Sequence, residues 1–214
     1  MEMHESMTII KRISQKNADK IHLLFQSIFS GWLIGLGALA MFSVSNRILG
    51  SLLFSIGITL VMIFKSKLYT GYIPSLSNEN KIKENLLNIP LCIIGNILGT
   101  ELLALCCYGS KYTEATMRAT QIIQGKENLL SGLLSGISCG IVIGLIVLNR
   151  HKILKWILTP LLIMTFILSG MEHCVADAFY MGLSNVWKPM FLIAVIIGNT
   201  IGGYLVGKII PQKK

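Results

Sequence analysis

Six apolar stretches, near residues 23–44, 48–64, 86–108, 129–149, 153–170 and 189–210, constrain this 214-residue chain more than any other feature. At about 1.5 Å of rise per residue, helices of these lengths approach or reach the ~30 Å hydrocarbon core of a bilayer. In lipid, backbone N–H and C=O groups must be satisfied within the segment itself, so such stretches read as helices. The expectation is an all-α membrane protein with six transmembrane helices in a single domain, residues 1–214. Composition agrees: 53% of residues are hydrophobic, 14% are charged and the mean hydropathy is +0.66, too little polar character for a soluble domain of this size. The first stretch follows Lys11, Arg12, Lys16 and Lys20 with no small-residue cleavage site close behind, so it reads as a retained helix rather than a signal peptide.

Short cytoplasmic loops collect Lys and Arg, which orients the bundle. One side would hold the N-terminal segment, Lys81 and Lys83, the Arg150-His151-Lys152-Lys155 turn, and Lys208, Lys213 and Lys214. The other would hold Arg47, Lys111, Arg118, Lys126 and Lys188, a split of twelve to five. Both termini are therefore expected in the cytoplasm of a cell that carries this chain in its inner or plasma membrane. The net charge of +9 is mostly topological; the basic residues are scattered without aromatic interleaving, so nucleic acid is not an expected partner. No phosphate loop or dinucleotide fingerprint occurs, and no cofactor is expected.

The chain also repeats itself. Ser30-Gly31-Trp32-Leu33-Ile34-Gly35 resembles Ser131-Gly132-Leu133-Leu134-Ser135-Gly136, 101 positions on, and Gly95-Asn96-Ile97-Leu98-Gly99 resembles Gly198-Asn199-Thr200-Ile201-Gly202, 103 positions on. Three crossings per half is an odd number, so the second copy enters from the opposite side. The reading is an inverted 3+3 repeat, with repeat 1 at about 23–108 and repeat 2 at about 129–210.

Between the fifth and sixth stretches lies Ser169-Gly170-Met171-Glu172-His173-Cys174-Val175-Ala176-Asp177. Ionisable groups at membrane depth are expensive, and by default they mark function. Subtracting 103 from His173 lands on Thr70, inside the polar interruption Lys67-Leu68-Tyr69-Thr70-Gly71-Tyr72, and each break precedes its Asn by 26 residues. Interrupted helices at matching points of two halves point to a midplane site, where broken ends expose N–H groups to anions.

At these residues the chain resembles the formate/nitrite transporter family. Gly170-Met171-Glu172-His173-Cys174-Val175-Ala176-Asp177 is similar to the family's Gly-Phe-Glu-His-Ser-Val-Ala-Asn signature, Lys67-Leu68-Tyr69-Thr70-Gly71 to its Glu-Leu-Phe-Thr-Gly loop, and both Gly-Asn-x-x-Gly motifs match. The resemblance implies an aquaporin-like protomer with helices 2 and 5 broken, a homopentamer, and one pore per protomer. It implies a channel for small monovalent anions such as formate, nitrite, hydrosulfide or short carboxylates, not an enzyme. Carried over by position, His173 is the central pore residue with Thr70 facing it; Phe54, Ile58, Leu68, Tyr69, Ile143 and Phe166 form apolar constrictions. Glu172, Asp177, Lys67, Asn96 and Asn199 are supporting polar residues, the two asparagines binding backbone at the breaks.

Three positions depart from the family pattern: Lys67 replaces a Glu, Gly140 an Asn, and Asp177 an Asn. The family's outer-mouth lysine falls on Gln124, or on Lys126 after a shift of two residues. A bare anion in a dry constriction loses several kcal/mol of hydration, whereas its protonated form does not, and histidine is the side chain suited to handle that proton near neutral pH. The partners are then the anion, protons and the lipid bilayer. If Asp177 stands at i+4 from His173 on one helix face it favours imidazolium, and Lys67 compensates the extra charge; Glu172 ties down freed N–H groups at the break, and Thr70 caps the half-helix that follows. Two other readings fit some of these residues: a membrane-embedded enzyme using Glu172, His173 and Cys174, and a neutral-solute pore. The five cysteines contain no C-x-x-C pair and read as apolar fillers; no metal site is expected.

Overall fold

A computed structural model describes residues 2–78, 82–108 and 110–210. Of the basic residues in the twelve-to-five split, Lys81, Lys213 and Lys214 lie outside the described residues, as do the side chains of Lys11, Arg12 and Lys83. The described chain is helical: α1 (Glu2–Phe42), α2 (Arg47–Ile63), α3 (Tyr69–Tyr72), a 3₁₀ turn at Ile73–Ser77, α4 (Ile82–Cys106), α5 (Thr113–Gln124), α6 (Leu129–Leu148), α7 (Leu154–Leu168), α8 (Cys174–Ser184) and α9 (Pro189–Ile209).

Four of the six expected segments are helices long and apolar enough to cross a membrane: 15–42 within α1, 85–106 within α4, α6, and α9. The other two, α2 with 17 residues and α7 with 15, are apolar but shorter, about 25 and 22 Å at 1.5 Å per residue. Both end in the same way. The Ser66 N–H reaches back to the Val61 carbonyl at 3.1 Å with Lys65 at φ +51°, and the Met171 N–H reaches back to the Phe166 carbonyl at 3.0 Å with Gly170 at φ +70°. A left-handed residue followed by a six-to-one bond is the Schellman termination, which satisfies carbonyls the last turn would leave open. After a short extended passage each chain turns back into helix, α3 with Leu68 at its N-cap and α8 with His173 at its N-cap.

Packing pairs α1 with α4 and α6 with α9, while α2 lies against α7; α8 packs on α4 and α5, and the Ile73–Ser77 turn packs on α9. The α1–α4 and α6–α9 seams are made by glycines. A side chain at Gly99 would run into the Ile28 carbonyl oxygen, and one at Gly202 into the Ile137 carbonyl oxygen. Such close backbone approach is how helices associate where lipid offers no hydrophobic drive.

These seams correct the repeat register. Gly31 lies against the Asn96 carbonyl, and the residue that lies against the Asn199 carbonyl is Gly140, not Gly132. The first-helix match is therefore 109 positions, from Gly31 to Gly140, two turns beyond the 101 that Ser-Gly similarity suggests. The cause is that α6 carries glycine at 132, 136, 140 and 144, so a small-residue motif with four-residue spacing fits several registers. The same contact accounts for Gly140 where the family pattern has Asn: a longer side chain there would meet the backbone of α9.

Candidate functional site

The two asparagines build the frame. Asn96 donates from Nδ2 to the carbonyls of Ser27 (2.8 Å) and Lys67 (2.9 Å), and its Oδ1 accepts the Tyr69 N–H at 2.9 Å. Asn199 donates to the carbonyls of Gly136 (2.9 Å) and Glu172 (2.8 Å) and accepts the Cys174 N–H at 3.1 Å. Each thus satisfies a carbonyl before its break, the first N–H of the helix after it, and a carbonyl of a neighbouring helix. In a buried setting such groups are costly to leave unpaired.

The same bonds shift the pairing of the breaks. Lys67 and Tyr69 correspond to Glu172 and Cys174, an offset of 105, so His173 is the counterpart of Leu68 and not of Thr70. Thr70 nevertheless meets His173: its Oγ1 is 3.4 Å from His173 Nε2, with both residues buried. Thr70 does not cap α3, whose N-cap is Leu68 with no side-chain cap bond. His173 Nδ1 is buried and has no hydrogen-bond partner among the described residues.

Around this pair the apolar residues close in. Phe54 and Phe166 meet edge to face, centroids 5.6 Å apart at 85°, and Phe166 lies 6.4 Å from the His173 ring. Ile58, Leu68, Tyr69 and Ile143 are buried as well. Tyr69 Oη makes long contacts to the Ile196 carbonyl (3.5 Å) and Asn199 Oδ1 (3.4 Å), which ties it to the frame.

Two cavities flank the aromatic pair along α2 and α7. One, of about 520 Å³, includes Arg47 and Gly50 from the start of α2 and Ile167 and Leu168 from the end of α7, with Arg118, Lys126, Met171 and Glu172. The other, of about 350 Å³, includes Ile58, Val61 and Met62 from the end of α2 and Lys155 and Trp156 from the start of α7, with Lys65, Lys67, Leu68 and Ile143. Phe54 and Phe166 fall between these stretches on both helices. Arg47, Arg118 and Lys126, which the charge split assigns to one side, line the first cavity, and Lys155, assigned to the other, lines the second.

Lys126 is the residue whose role sequence reasoning missed. It lies buried at the edge of the 520 Å³ cavity, with Nζ 2.5 Å from Glu172 Oε2 and 2.5 Å from Asp177 Oδ1, and 5.3 Å from the centre of the Tyr180 ring. Burial alone would lower the ammonium's pKa; the Asp177 and Glu172 carboxylates outweigh it and hold the pKa above the ordinary lysine value. Three expectations fall with this. Asp177 pairs with Lys126 rather than biasing His173, Glu172 pairs with Lys126 rather than tying down N–H groups, and Lys67 does not compensate Asp177. Lys67 faces the other cavity with its Nζ 5.8 Å from the Tyr72 ring centre. The available signal was Ala115, Ala119 and Ile123, an i, i+4, i+8 stripe that buries α5 against the bundle and carries Lys126 inward just beyond it.

All-helical, with apolar helices of membrane-crossing length around a buried histidine, the chain is a multi-pass membrane protein. Residues 4–211 match the formate/nitrite transporter family, and the chain belongs to it. Two solved structures are similar. One is described as a pentameric formate channel with formate bound: TM-score 0.75, 22% identity, 88% of this chain and 94% of that one covered. The other is described as an FNT family ion channel: TM-score 0.70, 21% identity, 92% and 89% covered. No curated protein matches the chain by sequence.

Proposed function

We propose that the chain is a channel for small monovalent anions of the formate and nitrite type. The pore joins the two cavities past Phe54, Phe166 and the Thr70–His173 pair, and passage there is assisted by protonation. The observation that carries this reading is the buried imidazole, one nitrogen near Thr70 and the other without a partner among the described residues, set among apolar residues between two cavities lined in part by basic residues. An anion drawn to either cavity reaches a zone that strips its water, where the neutral acid passes at far lower cost. Ile58, Leu68, Tyr69 and Ile143 narrow this zone.

The same reading makes residues 1–214 one domain of six crossings, with repeats near 23–108 and 129–210 and both termini in the cytoplasm. The common Schellman endings of α2 and α7 and the matched Asn96 and Asn199 clamps support two broken helices of opposite sense. Packing of each post-break segment on the last helix of the other half supports their interlocking. The pentameric state of a structural relative supports a homopentamer, and apolar residues on the outside of α4 and α9 such as Leu98, Leu102, Ile197 and Ile201 suit lipid or neighbouring subunits. Family membership weighs against an enzyme, as does a Cys174 that is buried at the first turn of α8; the charged mouths weigh against a neutral-solute pore.

Radiolabelled formate uptake by proteoliposomes tests the proposal. Uptake should follow the imposed gradient, rise as external pH falls, return formate unchanged, and be competed by nitrite and acetate while glycerol enters no faster than in protein-free vesicles. Glycerol uptake equal to formate uptake, or chemical conversion of the substrate, would overturn it.

A further inference from the structure

A third cavity, of about 460 Å³, shares no lining residue with the two along α2 and α7. It sits where the last turns of α4 and α8 meet the start of α5, at the far end of α8 from His173. Glu101 is its one carboxylate, and no Lys, Arg or His lines it among the described residues. Glu101 lies five residues inside the end of the 85–106 span, about 8 Å at 1.5 Å per residue. Its Oε1 is buried and has no hydrogen-bond partner among the described residues. A carboxylate at such depth is costly unless paired, and protonation would remove the charge while leaving that oxygen without a donor. Lys188, next in sequence to the lining Trp187, is instead held by the Gln124 carbonyl at 3.1 Å and Glu127 at 3.5 Å.

The backbone makes room for this carboxylate. A Cβ at Gly182 would fall 2.5 Å from Oε1 and 2.6 Å from Oε2, so a side chain there would displace it. Glycine inside a helix costs about 1 kcal/mol relative to alanine; here it lets both oxygens rest against Gly182, which itself lines the cavity. Much of the remaining wall is apolar, from Ala104, Leu105 and Leu183. Tyr108 and Trp187, both exposed, complete it beyond the end of the span, as aromatic residues do at a membrane–water interface. A metal ion needs a close shell of oxygens; a cavity of small-molecule size with one carboxylate and an apolar wall fits an ammonium that carries carbon.

We propose that this cavity binds a primary ammonium, its charged end on Glu101 and its carbon chain along Leu105 and Leu183, supplied by the ethanolamine headgroup of a lipid or by a free amine. The site depends on the membrane placement of α4 and not on anion permeation.

The probe is ethylammonium chloride, titrated calorimetrically into delipidated protein in detergent, with sodium chloride at equal ionic strength as the control. In parallel, native mass spectrometry counts the lipids that the protein retains from an equal mixture of phosphatidylethanolamine and phosphatidylcholine. Wild type should bind ethylammonium, retain phosphatidylethanolamine in preference, or both. Binding of ethylammonium alone identifies a free amine as the source, and lipid preference identifies the headgroup. Glu101→Gln should weaken ethylammonium binding at least tenfold, on the order of 1.4 kcal/mol, and level the retention of the two lipids. Gly182→Ala, which pushes the carboxylate aside, should do the same with the charge intact. Glu101→Gln removes an unpaired buried charge, so in amine-free detergent it should melt no lower than wild type. It should also lose the rise in melting temperature that ethylammonium gives wild type. A wild type that takes neither amine, as it would if a neighbouring subunit's side chain filled the cavity, overturns the proposal. So does sodium giving the same heat, a Glu101→Gln that binds both amines as wild type does, or one that melts well below wild type, the mark of a structural carboxylate.

Discussion

Replacing His173 by Asn is expected to lower formate flux at neutral pH by about a hundredfold and to flatten its dependence on pH. The magnitude follows from the several kcal/mol that a bare anion loses in a dry constriction, with every 1.4 kcal/mol worth about tenfold. Asn keeps a polar group near Thr70 Oγ1, which the imidazole now approaches at 3.4 Å, so the fold should survive and the thermal transition in detergent should be little changed. What Asn cannot do is carry a proton. Thr70→Val should give a smaller loss, because it removes the imidazole's neighbour and leaves the imidazole. Uptake assays over a range of pH on the three proteins separate these outcomes. Unchanged flux and pH profile in His173→Asn would contradict the mechanism.

Lys126→Met is expected to destabilise the protein more than any substitution among the pore residues. It leaves two buried carboxylates facing one another, Asp177 almost wholly enclosed and Glu172 largely so. Removing one partner of a buried pair costs about 3–5 kcal/mol, which for a chain of this size lowers the melting temperature by about 10 °C. The triple change Lys126→Met, Glu172→Gln, Asp177→Asn should recover most of the loss, since replacing a buried ion cluster by neutral groups is often tolerated. Asp177→Asn alone should retain the fold, because one lysine then faces one carboxylate. Thermal unfolding of detergent-solubilised protein distinguishes these cases; a Lys126→Met transition within about 2 °C of wild type would remove the ion cluster from the account of stability.

The parts of this architecture that could be read from the sequence are those fixed by local pattern. Apolar length placed α1, α2, α4, α6, α7 and α9 to within a few residues except at the start of α1, which runs back to Glu2, while α3, α5 and α8 fall outside the apolar stretches. The Gly-Asn-x-x-Gly motifs found the two asparagines because an Asn beside glycines in an apolar helix has few uses other than binding backbone. His173 stood out as an ionisable group flanked by apolar stretches. What could not be read depended on three-dimensional register. Thr70 and His173 meet across the break although they are not counterparts in the repeat, a relation that no single offset encodes. Glycines at every fourth position of α6 made the Gly31–Gly132 match look right when packing selects Gly140. Lys126 follows a helix too polar on average to register as part of the bundle, so its inward direction came only from the faint stripe of Ala115, Ala119 and Ile123.

In the proposed mechanism the anion crosses the Phe54–Phe166 zone together with a proton. The direct measurement is internal pH, followed with a trapped fluorescent indicator in proteoliposomes given an inward formate gradient while potassium and valinomycin clamp the membrane potential. Luminal acidification should keep step with formate entry, run faster than in vesicles carrying His173→Asn and be insensitive to the clamped potential. Formate entry without acidification, driven instead by an inside-positive potential, would contradict it.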